Sequence, residues 1–317
     1  MTQIDKSRFE WIGSDSARRE GISRPSTTFW KDAIGRLMKN KVAVVCFFII
    51  VLLILSCIIV PFFSPFESRE QHLGEVNKGF MTVCTDSRYE GQHHVHYFGT
   101  DNLGRDLFLR AFEGGRVSLM IAFAAVFVNL IVGLIYGGIS GYIGGAVDTI
   151  MMRIVEIVNG IPYLIVVILL MMVLPKGIFT MVVAYGITGW TGMARLVRGQ
   201  GLQLKSQEYI VAAEAMGAKS SRIIAKHLIP NALSVIIINV TLAIPSAIFT
   251  EAFLSYIGLG VPVPQPSWGV LAKGGQDVFM TYPYQLVVPA VAISLTMLSF
   301  NLLGDGLRDA FDPRLRR

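Results

Sequence analysis

The sequence predicts an all-α, polytopic membrane protein with six transmembrane helices. Hydrophobic residues make up 53% of the 317-residue chain and charged residues only 16%, and the mean hydropathy is +0.55. A hydrocarbon core of about 30 Å requires roughly 20 apolar residues per helix. The six stretches that have about this length are 42–63, 117–136, 149–174, 178–196, 232–257 and 284–303.

The segment before the first span predicts a short helix at the membrane surface. Residues 1–41 are polar and basic, and the run 42–63 is too long for a signal-peptide core and lacks a small-residue cleavage site, so we expect the first span to remain. Within 29–41, Trp30 lies on an apolar helical face and Arg36 on the opposite polar face. We expect an interfacial helix; the alternative is a solvated helix packed on the same protein.

Lys and Arg residues are distributed unequally between the two sides of the six spans. With the N-terminus inside, 20 of the 28 basic residues lie on the inner side and eight on the outer side. Because positive charge favours the cytoplasmic side, both termini, including the tail 305–317, and the loop 198–230 are predicted to be cytoplasmic. The net charge of +6 fits this asymmetry and contact with anionic lipid, and it predicts no nucleic-acid partner.

The loop 64–116 is predicted to be extracytoplasmic and is large enough for structure of its own. Its cysteine and histidines are His72, Cys84, His93, His94 and His96. Such residues can bind zinc or nickel, but two of the histidines are adjacent and no second cysteine accompanies them, so we predict no metal site. Thr100 or Asp101 is expected to cap the helix that follows.

A polar island, 198–226, separates the fourth and fifth apolar runs. Its middle, 208–217, reads Glu-Tyr-Ile-Val-Ala-Ala-Glu-Ala-Met-Gly and predicts a short helix that ends at a glycine. Alanines on a helix face allow another protein to approach closely, and a glycine allows a sharp turn. The chain contains no phosphate-binding loop, since the nearest candidate, 201–206, lacks the second glycine. Catalytic motifs are also missing from the sequence, so we predict neither an enzyme nor a cofactor in this chain.

Three positions inside the spans are candidates for a path across the membrane. Glu251 has no basic residue within helical reach, and charge in a bilayer is costly, so we predict that it lines a water-filled path. Hydrogen bonding to backbone or to a partner subunit is the alternative. Pro162 and Pro245 would kink the third and fifth spans around such a path. Asn159 is the third candidate, although intramembrane asparagines more often bond between helices.

Five segments occur in an order that a known family shares: 98–106, 141–148, 208–217, 253–269 and 301–313. The first reads Phe-Gly-Thr-Asp-Asn-Leu-Gly-Arg-Asp. Together they resemble the C-type permease subunit of oligopeptide and dipeptide ABC importers, and 208–217 resembles the cytoplasmic "EAA" loop of that family. Val211 departs from the glutamate of a general EAA loop, and the ending His-Leu-Ile-Pro at 227–230 is similar to the peptide and nickel branch.

This resemblance implies an ABC type I importer permease fold, with a core at 117–304, that moves oligopeptides or dipeptides into the cytoplasm. It implies a heterodimer with a B-type permease, two ATP-binding subunits that hold ATP and Mg²⁺, and an extracytoplasmic solute-binding protein. The implied ATPase-coupling residues are Glu208, Tyr209, Ala212, Ala213, Glu214, Met216, Gly217, Ala218 and Pro230. A nickel or other small-solute importer is the alternative in this class. A secondary transporter would need inverted repeats and intramembrane proton carriers.

Overall fold

The structure, a computed structural model, describes residues 29–85 and 94–312. His93, the residues before Phe29 and residues 313–317 lie outside the described part. The helices are α1 (Phe29–Lys39), α2 (Lys41–Phe63), α3 (Leu107–Ile143), α4 (Gly145–Gly160), α5 (Tyr163–Val173), α6 (Ile178–Thr188), α7 (Trp190–Lys205), α8 (Glu208–Ala215), α9 (Ser220–Ile223), α10 (Ile229–Tyr256), α11 (Trp268–Asp277) and α12 (Tyr284–Phe311). The predicted all-α class is confirmed, with one small hairpin of β1 (Thr82–Val83) and β2 (Val95–His96).

Four helical stretches among the described residues are long and apolar enough to cross a membrane: α2, α3, the stretch Ser220–Tyr256 that ends with α10, and α12. The predicted span 149–174 is the pair α4 and α5, bent by 79°, which confirms the predicted kink at Pro162. Ile161 and Pro162 both have extended ψ angles at the bend. For Ile161 the reason is that a residue before proline is driven out of the helical region.

The predicted span 178–196 consists of two consecutive helices with helical backbone angles at their junction, since Gly189 has φ −73° and ψ −21°. It forms α6 and α7, which meet at Gly189, and it is not among the stretches that meet the length and hydropathy of a span. A side chain at Gly189 would collide with the Asn129 amide of α3, so α3 approaches the junction of α6 and α7 closely. Of the six predicted spans, 149–174 is therefore a bent pair of helices and 178–196 is two helices joined at Gly189.

The helix directions show how the chain nevertheless crosses the bundle. α7 runs parallel to α3, since Gly133 lies against Met193 and Gly141, eight residues further on, lies against Gly201. Two parallel neighbours require the intervening chain to return to the starting end. α4 and α5 make this return, and α4 runs antiparallel to α7, with Asp148 bonded to Arg198 near the end where α7 leaves the bundle.

Small residues allow this central contact between α3 and α7. A Cβ atom at Gly141 would lie 2.6 Å from the Arg198 carbonyl oxygen, and one at Gly133 would lie 2.5 Å from the Met193 Cβ. Close approach through glycine is typical of helix pairs in membranes, where packing rather than water exclusion drives association. A second apolar cluster joins α2, α3, α10 and α12 around buried Trp268.

The first and last described helices meet at one end of the bundle. Phe29 of α1 stacks on Phe311 at a centroid distance of 6.0 Å, and Arg36 donates to the carbonyl oxygen of Asp312 at 3.3 Å. Ile34 and Met38 of α1 remain exposed. α1 therefore packs on the same chain through one part of its apolar face, while another part is open for the predicted contact with lipid.

The segment 98–106 forms a tight turn before α3. Asp101 accepts hydrogen bonds from the backbone N–H groups of Leu103 and Arg105, both at 2.9 Å, and pairs with the Arg105 guanidinium at 2.7 Å. The cap of α3 is Asp106, whose carboxylate accepts from the Leu109 N–H at 2.7 Å. The prediction of Thr100 or Asp101 as the cap is wrong, because the carboxylate of Asp101 is used within the turn.

Candidate functional site

The loop between α7 and α10 is folded onto the bundle by one face of α8. Ile210 and Ala213 are buried, and Ile210 packs in an apolar cluster with Tyr142 and Ile223. The predicted short helix at 208–217 is present as α8. Its inward face is apolar and small, so α8 lies close against the helices that support it.

Gly217 ends α8 in the way that the sequence predicts. Its φ is +80°, a conformation that favours glycine. The Ala218 N–H donates to the Ala213 carbonyl at 3.0 Å and the Gly217 N–H to the Glu214 carbonyl at 2.9 Å, which is the Schellman pattern of helix ends. A Cβ at Gly217 would meet no atom within 4 Å. Gly217 is therefore required for its backbone angle rather than for close packing.

The outward face of α8 exposes apolar side chains on an otherwise polar loop. Met216 is 82% exposed, Val211 54% and Tyr209 42%, and Glu208 and Ala212 are also exposed. Apolar side chains grouped on the surface mark interaction sites. These exposed side chains form the α8 outer face.

The structure separates the predicted coupling residues into two groups. Ala213 is only 6% exposed, so it packs within its own chain and is not available to a partner, contrary to the expected role of the alanines as a docking face. Ala218 is half-buried, and Pro230 is exposed in the first turn of α10. Glu214 is exposed but accepts a hydrogen bond from the Tyr142 hydroxyl at 2.8 Å, which ties α8 to the end of α3.

Glu251 does not lie where the sequence predicts. It is 1% exposed, and its carboxylate accepts hydrogen bonds from Ser118 at 2.6 Å and from Ser255 at 2.7 Å. Ser118 in turn accepts from the Trp268 N–H at 3.1 Å. The carboxylate is thus enclosed by side-chain hydroxyl groups of α3 and α10 in the same chain, rather than by the backbone or partner-subunit groups of the alternative.

A cavity of about 540 Å³ lies between α3, α5, the junction of α6 and α7, and α10. Its polar lining residues are Asn129, Tyr163, Tyr185, Thr188, Asn239, Ser246 and Thr250, and none of its described lining residues is charged. Asn129 Oδ1 and the Tyr163 hydroxyl are buried and have no hydrogen-bond partner among the described residues. Unsatisfied buried polar atoms are rare, so this cavity is equipped to hold water or polar solute.

The other two candidate path residues differ in their relation to this cavity. Pro245 is buried in α10 between lining residues Ala243 and Ser246. Asn159 lies outside the lining and contacts the Thr191 hydroxyl at 2.6 Å, a bond between α4 and α7. Sequence reasoning missed the lining set, although a signal was present: single Asn, Thr and Ser residues interrupt several apolar runs.

Comparisons with known proteins agree with this architecture. A family model described as "Binding-protein-dependent transport system inner membrane component" matches residues 129–317. The chain belongs to this family. A second model, described as the N-terminal TM domain of oligopeptide transport permease C, matches residues 28–79. The chain is thus a multi-pass membrane component of an ABC transport system.

Similar proteins match over nearly their whole length. The chain is 48% identical to the oligopeptide transport system permease protein OppC of Bacillus subtilis (strain 168), over 100% of both chains. It is 47% identical to the dipeptide transport system permease protein DppC of the same organism, over 94% of this chain and 90% of the relative. It is 42% identical to OppC of Escherichia coli (strain K12), over 99% of both.

A solved structure confirms the predicted permease fold. One chain of the MetNI methionine ABC transporter, in an inward-facing conformation, superposes with a TM-score of 0.51 at 21% identity and covers 64% of this chain and 97% of its own. At this identity the likeness concerns the fold alone.

Proposed function

We propose that this chain is the C-type permease subunit of an ABC importer that moves oligopeptides or dipeptides into the cytoplasm. Relatives at 48%, 47% and 42% identity carry oligopeptide or dipeptide permease names. The observation that carries the coupling part of the proposal is the α8 outer face, which is exposed while the opposite face is bound to the bundle.

The partners follow from this assignment. A B-type permease would complete the path, two ATP-binding subunits would hold ATP and Mg²⁺, and an extracytoplasmic solute-binding protein would deliver substrate. The α8 outer face would receive one ATPase. Force on α8 would pass through buried Ile210 and through the bond from Glu214 to Tyr142 to α3 and α7, which form one side of the cavity.

The cavity between α3, α5, α6–α7 and α10 is the part of the path that this chain contributes. A peptide offers backbone N–H and C=O groups at every residue, and the neutral Asn, Thr, Ser and Tyr lining can bond both kinds. The absence of charge among the described lining residues suits substrates with side chains of either sign. The residues that line this cavity replace Glu251 and Asn159 as the proposed path residues, and the region around Pro245 remains part of the proposed path.

We propose that the chain lies in the inner membrane with both termini in the cytoplasm. The 20-to-8 division of basic residues supports it. The contact of α1 with the end of α12 supports a common side for both ends of the described chain, which an even number of crossings requires.

The test is peptide uptake into vesicles that contain the complete complex with Met216→Glu. A carboxylate at an 82% exposed position leaves this chain's own packing unchanged, but it would be buried against the ATPase. Uptake and peptide-stimulated ATP hydrolysis should fall by more than about tenfold, as expected for loss of an interface hot spot. Met216→Leu is the matched control and should retain both.

Two outcomes contradict the proposal separately. Normal uptake by the Met216→Glu complex would show that the α8 outer face is not the coupling surface. Uptake of nickel or another small solute by the unaltered complex, with no uptake of peptides, would leave the permease assignment intact and overturn the substrate.

A further inference from the structure

The loop before α3 holds a buried cluster that the transport function does not use. Ligand atoms of His72, Glu75 and Cys84 all lie within 4.8 Å of one another, and the three residues are 1%, 2% and 7% exposed. A carboxylate oxygen of Glu70 lies 3.8 Å from His72 Nε2. The four positions are spread from 70 to 84 along the sequence, and only the fold brings them together.

The neighbours of this cluster orient its carboxylate. His96 contacts Glu75 Oε2 through Nε2 at 3.0 Å and Asp106 Oδ2 through Nδ1 at 2.7 Å, so both of its ring nitrogens are occupied. Thr85 donates to the other Glu75 oxygen through its N–H and hydroxyl. Hydrogen-bonded second partners of this kind hold metal ligands in position.

An apolar shell surrounds the same residues. Phe66, Cys84 and Leu109 form a small buried cluster, and Phe66 stacks on His96 at a centroid distance of 4.5 Å. A dry shell strengthens the interaction between a cation and anionic ligands. The Cys84 thiol now lies 3.3 Å from Glu75 Oε2, a separation that one metal ion can bridge.

Contrary to the sequence prediction of no metal site in this loop, we propose that His72, Glu75 and Cys84 bind a divalent transition-metal ion, with Zn²⁺ as the best chemical match. A set of one imidazole, one carboxylate and one thiol suits zinc, whereas a thiolate is unsuited to Mg²⁺ or Ca²⁺. Binding forms the metal–sulfur bond as the Cys84 thiol gives up its proton to solvent. Water or the Glu70 carboxylate completes the tetrahedral set.

Such an ion would fasten the loop to the helix bundle. Glu75 reaches Asp106 through His96, and Asp106 caps α3. The metal would therefore fix the start of the helix that forms the centre of the bundle. This role is structural and does not depend on which solute is carried.

The experiment uses the full-length chain purified from membranes in detergent, stripped with a chelator and then titrated with Zn²⁺ or Co²⁺. We expect one equivalent of either metal, a near-ultraviolet thiolate-to-cobalt charge-transfer band, and a higher thermal midpoint with zinc. Cys84→Ser keeps a donor to Glu75 but removes the thiolate. This variant should lose the cobalt band. Its zinc affinity should fall by more than about 10- to 100-fold, which is the loss expected when a residue that only hydrogen-bonds to a metal ligand is removed.

Cys57→Ser is the matched control, because Cys57 is also buried but lies in α2, and it should bind like the unaltered chain. His72→Gln provides a second ligand variant if Cys84→Ser does not fold. Binding of well under one equivalent by the unaltered chain would overturn the proposal, and so would cobalt binding without the thiolate band. Equal loss in the Cys57 and Cys84 variants would also contradict it.

Discussion

A carboxyl group inside an apolar helix bundle is tolerated only when its oxygens are hydrogen-bonded. Glu251 meets this condition through Ser118 and Ser255. The sequence shows that Glu251 is unusual, and it shows Ser255 one helical turn away. It does not show Ser118, which is 133 positions distant, so the enclosed site could not be told from a water-filled path.

Glu251→Leu should therefore destabilise the protein rather than alter the path. The substitution leaves two buried hydroxyl groups without their acceptor, at a cost of about 1–3 kcal/mol for each unsatisfied group. Thermal unfolding in detergent measures it. Thr241→Val is the control, since the Thr241 hydroxyl donates to the Ile237 carbonyl of its own helix at 2.9 Å and has no other hydrogen-bond partner in the part of the chain that the structure describes. An unchanged thermal midpoint together with lost transport would show that Glu251 lies on the translocation path.

Gly217 shows a residue whose role the sequence predicts well. A glycine after a short helix indicates a left-handed turn, and the structure has φ of +80° there. Gly217→Ala should cost about 1–2 kcal/mol, the penalty of the left-handed region, and should weaken the coupling of ATP hydrolysis to uptake. Gly217→Asn should cost less, because Asn tolerates this region.

Gly35→Ala provides the control for this pair. Gly35 has ordinary backbone angles and open space where a Cβ would be, so the change should leave unfolding and uptake close to the values of the unaltered chain. Equal losses for the Ala and Asn variants at Gly217 would show that side-chain bulk, not backbone angle, is what the turn excludes.

At the scale of elements, a proline in an apolar run does not by itself predict where the helix bends. α2, α10 and α12 are continuous although they contain Pro61, Pro245 and Pro289, whereas α4–α5 bends by 79° around Pro162. The sequence predicts kinks at Pro162 and Pro245 alike, and only Pro162 lies between two helices. The close contact of Gly189 with Asn129 joins distant parts of the chain, so no local pattern reveals it.

The link between α8 and α3 gives a prediction at the same scale. Tyr142→Phe removes the donor and Glu214→Ala the acceptor of the 2.8 Å hydrogen bond, and each should raise the ATP hydrolysed per peptide transported. The double variant should be no worse than the single ones, because both remove one interaction of about 1 kcal/mol. Uptake and hydrolysis measured together in vesicles give this ratio.

Tyr136→Phe is the matched control for this link. It removes a hydroxyl bond of similar length from α3, to the Met151 carbonyl at 2.9 Å, but this bond joins α4 and not α8. Its ratio should be unchanged. Additive effects of the Tyr142 and Glu214 substitutions would show that the two residues act independently.

For the whole molecule, the charge distribution and the helix directions lead to the same topology by independent routes. Basic residues predict the side of each loop. The parallel packing of α3 and α7 shows that α4–α5 returns across the bundle even though it is bent. The apolar runs alone could not show this, because length and hydropathy do not distinguish a broken crossing from a re-entrant segment.

A cysteine introduced at Ser206 and one introduced at Met280 in a separate variant should therefore be labelled from opposite sides of the membrane. Both positions are exposed, Met280 at 95%, whereas the native Cys46, Cys57 and Cys84 are buried and can be kept. A membrane-impermeant maleimide should modify Met280→Cys in intact cells and Ser206→Cys only after permeabilisation. With five crossings, the sides of the loops at 206 and 280 relative to the two termini would differ from this arrangement. A tag on each terminus is therefore labelled in the same experiment. Six crossings place both termini on one side of the membrane, in agreement with the contact between α1 and the end of α12. An odd number of crossings would separate the termini, so labelling of the two termini from opposite sides would contradict six crossings.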